Sequence, residues 1–73
     1  MAYRKGEIAV ILKNGVTRAQ LEEVLKPLGL SIVRESKRGN WCVVEVFVGE
    51  EIKYIFVLKE YIEVVQDAYI VFK

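Results

Sequence analysis

"EEIKYIFVLKEYIEVV", from Glu50 to Val65, is the stretch on which the fold turns. Ile52, Tyr54, Ile55, Phe56, Val57 and Leu58 leave it almost no polar side. A surface helix normally shows one apolar stripe, and a half-buried strand alternates. Taken alone, "IKYIFVL" is compatible with a strand, being rich in branched and aromatic residues. Three features favour a helix. No turn signal interrupts the run from Glu50 to Tyr61. Acidic residues open it and Lys59 lies near its close, matching the positive and negative ends of a helix. A strand here would also leave the sheet with a single helix to cover it. As a helix, it turns Ile55, Leu58, Ile62 and either Glu51 or Tyr54 toward the sheet, and Phe56 and Val57 elsewhere.

The flanking segments supply the rest of the order. "EIAVILK" (Glu7 to Lys13) is a strand closed by Asn14-Gly15, apolar on both faces: Ile8, Val10 and Leu12 on one, Ala9 and Ile11 on the other. "TRAQLEEVLKPLG" is a helix. Thr17 and Gln20 form a capping box, and Val16 and Leu21 sit where a hydrophobic staple forms across it. Leu21, Val24, Leu25 and Leu28 make one stripe, and Pro27 with Gly29 ends the helix within a turn of Lys26. "LSIVRES" (Leu30 to Ser36) is a second strand and "KRGN" a turn. "WCVVEVFV" (Trp41 to Val48) is a third strand, with Cys42, Val44 and Val46 inward and Trp41, Val43, Glu45 and Phe47 outward. "VVQDAYIVF" is a fourth, from about Val64 to Phe72. Strand, helix, strand, strand, helix, strand with right-handed crossovers gives an α+β fold of ferredoxin-like βαββαβ type. Its four-stranded antiparallel sheet carries both helices on one face. Residues 1–73 form one domain, without repeat or linker.

Composition removes several classes of function. The 73 residues contain no His and a single Cys42, which excludes an internal disulfide, a Cys/His zinc site and any His-based triad. Eleven basic and ten acidic residues give a net charge of +1, no footprint for nucleic acid or an anionic membrane. No apolar run approaches the roughly 18 residues of a spanning helix. The opening "MAYRKGEIAV" lacks the apolar centre and cleavage site of a signal peptide. The chain therefore reads as soluble, with the localisation of any longer parent left open. Its glycines are scattered and it has no CxxC, so neither nucleotide nor metal is expected, and no cofactor. Trp41 and Phe47 lie on one strand, unlike the stacking aromatics of an RNA-binding sheet. Cys42 reads as a small core residue, and Glu22-Glu23 and Glu50-Glu51 as solvated helix faces. No catalytic residues and no enzyme activity are expected.

The sheet face without helices is where function is expected. It should be polar in a free monomer, yet it would carry Ala9, Ile11, Val33, Trp41, Val43 and Phe47. Branched residues are good strand formers, and a few exposed ones need no explanation. A contiguous patch with aromatic anchors, however, is the mark of an interaction surface. Either a foreign partner or a second copy would cover it.

"KGEIAVILKNGVTRAQLEEVLKPLGLSIVRE" resembles the opening of the fervidolysin-type prodomains of subtilisin-like serine proteases. "GNWCVVEV" resembles their third strand, and "LKEYIEVVQDAY" their second helix leading into the last strand. The likeness extends from Gly6 to about Ile70 and rests on turn glycines and apolar spacing. It implies a ferredoxin-like domain acting as chaperone and inhibitor of a secreted subtilisin-like serine protease domain. Ile11, Trp41, Val43 and Phe47 would then dock on the protease, and Tyr69, Ile70, Val71 and Phe72, with Lys73, would enter its cleft. The chain departs from the family in having Phe47, Ile62 and Tyr69 or Ile70 where prolines are common, and only Asp67 among the acidic residues near the last strand's end. Such changes fit an engineered or repurposed scaffold as well as a natural stand-alone inhibitor. The alternative is a stand-alone domain that pairs with its own copies as a homodimer through apolar surface.

Overall fold

A computed structural model describes residues 2–37 and 39–72. The sheet is assembled around β1 (Tyr3–Leu12), which pairs antiparallel with β3 (Trp41–Glu45) on one side and β4 (Val65–Phe72) on the other. β2 (Ser31–Glu35) completes the four strands in the order β2-β3-β1-β4. Helices α1 (Arg18–Leu25) and α2 (Glu51–Lys59) connect β1 to β2 and β3 to β4, the ferredoxin-like arrangement.

Alternation along β1 fixes which side is which. Ile8, Val10 and Leu12 are buried with Leu21 and Leu25 of α1 and Tyr54, Ile55 and Leu58 of α2. Opposite Val10 and Ile8 on β3 stand Cys42 and Val44, in the same core. Burial pushes the Cys42 thiol pKa up, keeping the group neutral among its apolar neighbours. Helix α1 begins with the expected capping box: the Gln20 N–H donates to Thr17 Oγ1 (3.3 Å), and Gln20 Oε1 accepts the Thr17 N–H (2.8 Å). It ends in a 3-10 turn, Lys26–Leu28, that contains Pro27. The stretch read as ambiguous is a helix, with Ile55 and Leu58 turned inward as expected and both Glu51 and Tyr54 beside them.

Several details differ from what the residues alone imply, beginning with β1, which starts at Tyr3 rather than Glu7. β3 stops at Glu45 rather than Val48: the Val46 N–H still reaches Gly6 O (2.8 Å), but Phe47 O then accepts the Glu50 N–H (2.9 Å) in a turn that leaves the sheet. Val57 is partly buried against the core, because α2 packs over both β4 and β1 and so hides a broad side. Ile62 is 66% exposed: Tyr61 O accepts the amides of Val64 and Val65 in the turn after α2, and that turn throws Ile62 outward. Glu51 is no solvated carboxylate, being only 4% exposed.

Glu51 instead ties the helix to the sheet. Its Oε2 accepts the Gly6 N–H at 2.7 Å and its Oε1 the Gly49 N–H at 3.0 Å. Gly6 has φ 77°, and a Cβ there would stand 3.2 Å from Val46 O, so glycine lets the strand turn its amide toward α2. No helix among the described residues is long and apolar enough to cross a membrane.

The Gly6 amide, with Glu51's own and that of Gly49, holds the Glu51 carboxyl below the ordinary carboxylate range. A folded-state pKa below the unfolded one stabilises the protein above the unfolded value, and that stability disappears as pH falls through the folded value. Urea titrations at decreasing pH should therefore show stability falling below about pH 4. Glu51→Gln should lower the neutral-pH midpoint and flatten the acid limb; a variant with an unchanged acid limb would remove Glu51 from this role.

Candidate functional site

The face of the sheet opposite the helices is built by strand register. Directly paired residues share a face, so Ala9 lies beside Val43 and Tyr69, and Ile11 beside Trp41 and Asp67. Val71 follows Tyr69 by alternation. The result is an apolar band across β3, β1 and β4, with Glu7 beside Glu45 at one end and Asp67 at the other. Trp41 is 41% exposed and Tyr69 49%. Ile11 and Val71 are half-buried, and Ala9 and Val43 form the floor. A shallow depression of about 360 Å³ opens here between Trp41 and the end of β4, including Phe72, which is itself exposed.

Two devices shape the band. Gly39 lets the indole of Trp41 lie close to the β2–β3 turn, because a Cβ there would stand 3.1 Å from Trp41 Cδ1 and 2.8 Å from Ser36 Oγ. The second is a bulge in β2. Ile32 pairs with Val44, but Arg34 pairs with Val43, leaving Val33 as the extra residue. The bulge resets the alternation so that Arg34 joins the bare face and Glu35 turns toward α1, where it accepts from Arg18 Nη1 at 2.6 Å. Arg34 Nη2 then reaches Glu7 Oε1 on β1 at 2.7 Å, crossing β3 between Val43 and Glu45. Its guanidinium offsets two carboxylates that the register sets side by side, and its stem shields Val43.

The expected docking residues therefore divide. Ile11, Trp41, Tyr69 and Val71 come together on the bare face, with Phe72 at its margin. Val43 lies on that face but is only 4% exposed beneath Arg34, so it supports the surface and offers little contact. Phe47 is exposed but off the face. β3 has ended before it, and its ring packs against Tyr54 of α2 with centroids 6.2 Å apart. Ile70 points to the helix side and is packed against the core. Lys73 lies outside the described residues. The Arg34–Glu7 bridge had no sequence signal, because strict alternation in "SIVRES" sends Arg34 to the other side.

Among the described residues no cluster of three or more His, Cys, Asp or Glu could hold a metal ion. The arrangement offers apolar contact, two aromatic anchors and a charged rim.

Val43→Ala should cost about 2 kcal/mol of unfolding free energy, the loss of two buried carbons, whereas Arg34→Ala should cost less than about 1 kcal/mol, as exposed ion pairs do. Denaturant titration of both variants checks this; a Val43 variant as stable as the parent would return that residue to the exposed surface. Compared with known families, curated proteins and solved structures, the chain matches none.

Proposed function

We propose that the domain is a non-catalytic binding module that seats its bare sheet face on an apolar patch of a partner protein. The observation that carries this reading is the band formed by Ile11, Trp41, Tyr69 and Val71, apolar, uncovered and edged by charge. The resemblance to fervidolysin-type prodomains points to the partner: the surface of a subtilisin-like serine protease, which the module would inhibit or help to fold. It performs no chemistry itself. Surface burial supplies affinity, and the C-terminal segment adds backbone pairing in the manner of an added strand.

Magnitudes support two contacts rather than one. Covering roughly 300 Å² of apolar face yields about 7 kcal/mol, while association costs about 4–15 kcal/mol in lost freedom. The face alone would give a transient complex. Tight inhibition requires the end of β4 as well, where Tyr69, Val71 and Phe72 already line the same depression as Trp41.

Titrating the chain into a subtilisin-like protease should slow peptide hydrolysis. Trp41→Ala should weaken that inhibition at least about tenfold, the loss of a central aromatic anchor, far more than it lowers stability. Absence of inhibition at roughly tens of micromolar would remove the protease as partner. Equal loss of binding and stability in Trp41→Ala would make Trp41 a core residue.

A further inference from the structure

The two edges of the sheet are built differently. β2 is a five-residue strand interrupted at Val33, and its Arg34 and Glu35 are both held in ion pairs. A short, bulged, charged strand is how natural edges resist pairing with another chain. β4 is eight residues long and, among the described residues, is paired only with β1. Its beginning is guarded: Lys59 Nζ from the end of α2 meets Asp67 Oδ1 at 3.2 Å, and the same oxygen accepts the Ala68 N–H at 2.8 Å. That contact directs the Ala68 amide away from β1. Antiparallel alternation sends the Ile70 amide the same way, to the free edge. After Asp67 the strand reads "AYIVF", with no charge and no proline.

We propose that this edge is a self-pairing site, at which a second copy of the chain adds its β4 antiparallel about a two-fold axis at Ile70. The two four-stranded sheets then run on as one. A second copy is the occupant that the residues fit. In this register Ile70 meets the partner's Ile70 and both exchange backbone hydrogen bonds. Small Ala68 lies opposite the partner's large Phe72, and Tyr69 lies opposite the partner's Val71, an aromatic–branched pair of the kind that stabilises sheets. No like charges meet within the matched residues, Asp67 falls outside them with Lys59 against it, and a net charge of +1 per chain repels little. A few strand pairs bury less than the roughly 1,000 Å² of a permanent interface, so pairing depends on concentration. The site leaves Trp41 free but shares the end of β4 with the C-terminal contact proposed above, so self-pairing and that contact exclude each other.

Sedimentation equilibrium of the full chain should show the mean mass rising from 8.4 kDa toward twice that as concentration is raised from about 10 µM to about 1 mM. Ile70→Pro removes the outward amide, and Ile70→Ala removes a similar share of side-chain contact while keeping it. Pairing should persist in Ile70→Ala and in Trp41→Ala and weaken at least about tenfold in Ile70→Pro. Amide exchange on the unaltered chain gives a reading that needs no variant: protection of the Ile70 amide should rise with concentration. A single-chain mass throughout, an Ile70 amide indifferent to concentration, or pairing that survives Ile70→Pro but is lost in Trp41→Ala would each overturn the proposal. A chain that stays single yet inhibits a protease would overturn it and leave the docking face standing.

Discussion

Everything in this molecule follows from a central strand that is apolar on both sides while helices cover only one. β1 has a neighbour on each edge, so its alternation is transmitted through pairing to β3 and β4. Ile8, Val10 and Leu12 gather the core under α1 and α2. Ala9 and Ile11 carry the same strand chemistry to the side that has no helix. A slip of one residue in either pairing would exchange the two sets, so the buried triplet fixes the register and the register creates the bare apolar face. The exposed patch is a consequence of how the core is specified.

The protein limits that exposure without removing it. Arg34 is brought over Val43 by a bulge, and Gly39 lets the Trp41 ring lie against the neighbouring turn. Asp67 and Lys59 guard part of the free edge. What escapes these devices is narrow: Trp41, Ile11, Tyr69 and Val71 on the face, and the last residues of β4 along the edge. Other apolar side chains, among them Ile52 and Phe56 of α2, are also exposed but lie away from the band, and nothing in the structure joins them to it.

How much of this could be read from residues alone depended on whether the cause was local. The capping box at Thr17, the stop at Pro27 and the inward turn of Ile55 and Leu58 on α2 are set within a few residues, and the sequence carried each of them, whereas Ile62 and Val57 were placed on the wrong sides. The face assignment of Trp41 and Ile11 followed from period two. What could not be read depended on long-range pairing or on a break in that period. The bulge at Val33 reverses the sides of Arg34 and Glu35, with no glycine or proline to announce it. The loss of Phe47 from the face follows from a turn closed by its own carbonyl three residues on. Glu51 was legible as a helix-start residue, but its bond to Gly6 spans forty-five positions in the chain, a separation that no local pattern encodes. The Glu50-Glu51 pair therefore looks alike in sequence and behaves differently in the fold.

In the proposed function, the bare face of the sheet at Trp41 is the surface on which a partner sits. The most direct test is fluorine NMR of the chain with fluorotryptophan as its one tryptophan, at position 41, during titration with a subtilisin-like protease whose activity is followed in parallel. The resonance should shift and broaden over the same range of protease in which inhibition develops. Inhibition that develops while the resonance stays where it began would place the contact elsewhere and rule out Trp41 as the docking anchor.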